Sequence, residues 1–250
     1  MALMRTSNPA LNASTFTDLR RDPTAPAMTV EGTVNKSALL LFLVVVPAAW
    51  VWTQVRAAAT PGVAVPWIVI GSLGGFVTAL ATVWKKEWAP VTAPVYAALE
   101  GLALGGISAI FETRYPGIAM QSVALTFATL AAMLVAYRTG LIRATEKFKL
   151  GVVAATGAIA LYYVVGWVLA LFHVGMPFLQ GNGTASLVVS GIIVVVAALN
   201  LVLDFDFIET GVNVGAPKTM EWYGAFGLMV TLIWLYLEIL RLLAKARSRR

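Results

Sequence analysis

Apolar residues run almost unbroken through seven stretches of this chain, at 37–54, 64–84, 91–111, 118–137, 150–172, 185–207 and 222–243. A membrane-crossing helix needs about 20 mostly apolar residues, and each stretch is close to that length. A chain inside a bilayer must satisfy its backbone internally, as a helix or a closed barrel. Barrel strands would alternate polar and apolar positions over about 10 residues, and these runs do not. The pattern predicts an all-α membrane protein, a bundle of seven transmembrane helices over 37–243. Residues 1–36 are polar and rich in Pro, Thr, Asn and Ser, and are expected to form a largely disordered tail. Residues 244–250 form a short basic tail.

Composition strengthens the membrane assignment. Hydrophobic residues make up 59% of the chain and charged ones 12%, where a soluble domain carries about twice that charge. Connections are short and marked by Thr60-Pro61-Gly62, Trp88-Ala89-Pro90, Tyr115-Pro116-Gly117 and Gly215-Ala216-Pro217. Gly101 and Gly105 lie four apart, as do Gly71 and Gly75, a spacing that lets membrane helices approach closely. Six tryptophans sit near segment ends, as an interfacial belt requires. Trp167 and Trp234 lie deeper and are expected to pack inside the bundle.

Charge places the chain in its membrane. Lys85, Lys86, Arg138, Arg143, Lys147 and Lys149 share the side of the N-terminus if all seven segments cross. The positive-inside rule then puts that side, with the N-terminus, in the cytoplasm of a cell membrane. The basic end from Arg241 to Arg250 falls opposite, against the rule, where it sets topology or meets anionic lipid. The basic residues are scattered over helix ends, which argues against nucleic-acid binding. The chain has no cysteine, so disulfides, thiol catalysis and zinc–thiolate sites are excluded.

Four carboxylates stand inside the apolar segments: Glu100, Asp204, Asp206 and Glu238. No basic residue lies deep in those segments, and a central acid costs roughly 2.5–3.5 kcal/mol on insertion scales. A proton, a second carboxyl group or a metal ion is then the simplest partner. Asn200 is one turn before Asp204 and is placed to hydrogen-bond it. Asp206 points about 200° away around the helix. Across the last hairpin, a turn centred near residue 217 brings Val230-Thr231 level with Asp204. A turn centred near residue 221 brings Glu238 there instead. Glu238 also has Arg241 three residues on as an alternative ion-pair partner. Carboxyl groups taken out of water hold protons more tightly, and two in hydrogen-bond range share one. Deprotonated, Asp204 and Glu238 would offer hard oxygen ligands to calcium.

At these residues the chain resembles the Bax inhibitor-1/YccA family, also called the transmembrane BAX inhibitor motif family. The likeness is carried by LVLDFDFIE (201–209), EWYGAFGLMVTLIWLYLEILRLL (221–243), ALEGLALGGIS (98–108) and RYPGIAMQSVALT (114–126). It looks closest to the bacterial branch, with the SNPAL start at Ser7–Leu11, and that resemblance implies a bacterial inner membrane. The resemblance implies a seven-helix bundle with the last helix central. It also implies a pH-sensitive calcium leak controlled by paired acids in the last two helices, Asp204 being the first of them. The second is Glu238 or Thr231, depending on how the last segment is matched.

Other classes fit less well. A seven-helix zinc hydrolase needs several intramembrane histidines, and His173 is the only one. Neither a placed Ser–His pair nor a retinal-binding lysine is present. No enzymatic activity and no cofactor are expected beyond calcium as the transported ion. The alternative is a non-conducting membrane protein that binds a membrane protease or stress-response partner, its acids protonated and structural. A proton-coupled transporter is a third reading.

Overall fold

The structure, a computed structural model, describes residues 26–58, 60–172 and 183–249. Among the described residues there are seven long helices and no strand: α1 (Val30–Ala58), α2 (Ala64–Trp84), α3 (Ala89–Arg114), α4 (Ile118–Arg138), α5 (Glu146–Leu171), α6 (Thr184–Asn213) and α7 (Met220–Arg247). All seven are long and apolar enough to cross a membrane. Residues 1–25 of the expected tail, the Ser7–Leu11 start and His173 lie outside the described residues.

Helix α1 begins seven residues ahead of the apolar run. The cause is a cap: the Thr29 hydroxyl accepts from the Gly32 amide at 2.9 Å, satisfying one of the free donors of the first turn. The chain just before it is pinned to the α6–α7 turn. Met28 N–H donates to the Ala216 carbonyl at 2.7 Å, and Lys218 N–H to the Pro26 carbonyl at 3.2 Å.

Helix α7 is central, in contact with α1, α3, α4 and α6. Its fully buried side chains include Tyr223, Phe226, Met229, Leu235 and Leu240. Helix α3 lies tightly against α1 because two glycines remove the side chains between them. A Cβ on Gly101 would stand 2.4 Å from the Val44 carbonyl oxygen, and one on Gly105 2.4 Å from that of Ala48. No side chain fits at such a distance, so the spacing read from sequence is a close helix contact.

Helix α5 is the opposite case. It packs on α6, and Lys149 and Val152 are its buried residues. Trp167, expected inside the bundle, is 67% exposed on its outward face. Its depth was legible but its direction was not: the apolar run is continuous around the helix, so no polar face marks the outside.

Candidate functional site

The α6–α7 hairpin carries five of the six polar residues singled out above, and the inward face of α5 packs beside it. Asp204 is 4% exposed. Its one side-chain hydrogen bond is with Thr231 on α7, the hydroxyl donating to the carboxyl group. Its other oxygen, Oδ2, is buried with no hydrogen-bond partner among the described residues. The α6–α7 turn is therefore centred as the first of the two alternatives required, with Thr231 level with Asp204. Glu238 is two turns further along α7, roughly 10 Å at 1.5 Å per residue.

Asn200 does not meet Asp204. Its amide donates to the Thr156 hydroxyl on α5 and to the Val196 carbonyl, both at 2.8 Å. Asp206 and Glu238 turn to α5 as well. Lys149 Nζ stands 2.6 Å from Asp206 Oδ2. The Tyr163 hydroxyl donates to Glu238 Oε1 at 2.8 Å. Arg241 closes that group, donating to the two Glu238 oxygens at 2.9 and 3.0 Å and to the Tyr163 oxygen at 2.6 Å. Trp234 Nε1 adds a bond to Glu238 Oε1 at 3.2 Å.

These contacts form a ladder. Lys149, Thr156 and Tyr163 are seven residues apart, and seven residues make nearly two whole turns, so all three point the same way. Each rung joins α5 to one polar residue of the hairpin: Asp206, Asn200 and Glu238 in turn.

A family model described as Bax inhibitor 1 like matches residues 8–248. The chain belongs to the Bax inhibitor 1 like family. No curated protein and no solved structure matches it.

Family membership covers the membrane region as a whole, and the geometry within it takes Thr231, of the two alternatives, as the partner of Asp204. Asp204 and Glu238 have separate partners and form no direct dyad. Two of the four membrane acids have built-in cations: Glu238 has Arg241, the alternative partner named above, and Asp206 has Lys149, which was not expected. Lys149 and Arg241 lie within about two turns of their helix ends, and long basic side chains reach several ångströms along a helix. Placing their Cα atoms near a boundary does not keep their charges there. Among the described residues no group of three or more His, Asp or Glu side chains is placed to hold a metal ion. Calcium coordination by Asp204 with Glu238 has no geometric support.

Glu100 stands apart. Its carboxyl group occupies the space beside Gly75, with Oε1 2.5 Å from where a Cβ on that glycine would be. It lies between α2 and α3, away from the ladder.

A third buried acid, besides Asp204 and Glu238, escaped the sequence reading. Glu221, at the first turn of α7, is fully buried. It accepts from Thr29 N–H at 3.0 Å and the Thr29 hydroxyl at 2.9 Å, and pairs with Lys36. Lys218 is 3.4 Å away. The residue sits at the edge of an apolar run, where acids are ordinarily solvated, and it is buried by the folded-back chain at Thr29 together with Gly32 and Lys36 in the first turns of α1.

Proposed function

We propose that this protein is a proton-sensitive cation leak of the cell membrane, with calcium as its transported ion and its N-terminus in the cytoplasm. The reading rests on one observation: Asp204 is buried in the α6–α7 hairpin and, among the described residues, has one hydroxyl partner, one unpaired oxygen and no cation against it. Lost charge pairing at such a site costs several kcal/mol. A protonated Asp204 lets the hairpin close around Thr231, and an ionised one favours an arrangement that admits water or a cation. The charged groups nearest in the ladder are Lys149, Glu146 and Asp206 on one rung and Glu238 with Arg241 on another. Those three acids are already paired, which leaves Asp204 as the group free to answer pH.

Calcium flux into proteoliposomes, measured from mildly acid to mildly alkaline pH, tests the proposal. The wild type should leak more as pH rises, and Asp204→Asn should leak little at any pH. With insertion and folding verified, no flux at any pH would overturn the reading. That result would favour a membrane modulator that docks a partner protein. Helix α5, with few buried residues and apolar side chains turned outward, is the element such a partner would meet.

A further inference from the structure

Two cavities enter the bundle from opposite ends along the same three helices. One, about 750 Å³, opens on the side of the α4–α5 connection, where Tyr137, Arg138, Arg143, Asp206 and Glu209 stand at its mouth. The other, about 510 Å³, opens on the opposite side beside Thr53, Ser108 and Glu112. Both are apolar over most of their depth and polar at their outer ends. Leu41 of α1, Phe127 of α4, and Met229 and Leu232 of α7 line both cavities.

These four residues lie where the two cavities meet. Phe127 is 11 residues from Arg138 at one end of α4 and nine from Ile118 at the other. At 1.5 Å per residue that is about 16 Å one way and about 14 Å the other. The ring therefore stands near the middle of a hydrocarbon layer about 30 Å thick. Helix α7 contacts both α1 and α4, whereas α1 and α4 do not pack extensively on each other, so α7 is the floor of a continuous seam. Thr231, the partner of Asp204, lies between Met229 and Leu232 in sequence.

We propose that the two cavities are opposed vestibules of one transmembrane path, closed at its middle by an apolar barrier of Leu41, Phe127, Met229 and Leu232. This rests on the leak reading for its use, though not for its geometry. A narrow ring of apolar side chains expels water and blocks ions without any charged gate. Each mouth carries a carboxylate that is already held: Asp206 by Lys149, Glu209 by the Tyr137 hydroxyl, and Glu112 by the Gly117 and Ala119 amides. The bond between Asp204 and Thr231 sits in the same stretch of α7 as the barrier, so a shift in that bond moves Met229 and Leu232.

The absence of cysteine makes the test direct. Ser37→Cys and Thr53→Cys, one in each vestibule, would be exposed in proteoliposomes to a membrane-impermeant cationic methanethiosulfonate from either side. Flux would be measured in Phe127→Asn and, as an independent variant, Met229→Asn. Labelling of each cysteine from its own side only, with at least a several-fold rise in cation flux for either barrier variant, is the expected result. Failure of both cysteines to react would mean that lipid fills the seam, and would overturn the proposal. Labelling without any rise in flux in either correctly folded barrier variant would also overturn it. Flux in the barrier variants with none in the wild type at any pH would leave the barrier standing and sink the proton-sensitive leak.

Discussion

Helices α3 and α5 have the same length, and α5 is the more apolar of the two, yet α3 is the better buried, and the two are held in the bundle by different physics. Helix α3 is fixed by shape: Gly101 and Gly105 bring its backbone against α1, and Ala97, Leu104 and Ser108 are buried against the rest of the core. Helix α5 is fixed by chemistry, through three polar rungs and little buried surface. In a bilayer the hydrophobic effect does not drive helices together, so close packing and polar contacts are the remaining sources of adhesion. A shape-held helix has one position. A helix held by rungs can be released by a change of charge.

The sharpest way to break this comparison is on the α3 side. Gly101→Leu would force a side chain into the Val44 carbonyl and should cost about 3 kcal/mol or more. Thermal unfolding in detergent should show the largest loss of any variant here. Arg241→Ala comes next, because it leaves Glu238 buried beside neutral partners. Breaking a buried pair costs about 3–5 kcal/mol, and the partly exposed guanidinium reduces this to about 2 kcal/mol. Pairing Arg241→Ala with Glu238→Gln should restore most of the loss, and failure to do so would mean that the ion pair is not what holds that rung.

Smaller effects distinguish the rungs. Lys149→Met should leave the core melting transition nearly unchanged while amide exchange in α5 speeds up more than in α3. Equal acceleration in both would show that α5 is no separate unit. Thr156→Val removes one interhelical hydrogen bond, worth about 0.6 kcal/mol in membranes. Its effect should be the smallest and should not depend on pH.

Membrane class, number of helices and the central place of the last one were legible, the first two from the apolar runs and the third through the family likeness. The glycine spacing in α3 was legible too, because a small residue every fourth position has few other uses in a membrane helix. The site was legible as a set of residues and illegible as a set of pairs. Asp204, Asn200, Asp206, Glu238 and Thr231 do gather on the hairpin and its α5 ladder, whereas Glu100 does not. The choice of Thr231 over Glu238 depended on where the last turn is centred, which a shift of a few residues reverses.

Along a single chain, the cost of burying polar groups in hydrocarbon decides which segments cross and which residues need partners. Those are properties of composition and spacing, so the sequence determined them unaided. Which partner each acid takes is decided by helix rotation, turn centre and the reach of side chains such as Lys149 and Arg241. The burial of Glu221 and the seam along α1, α4 and α7 are of the same kind. They exist only where separate segments meet, because distance between helices is set by tertiary packing and is not written in the order of residues along any one of them.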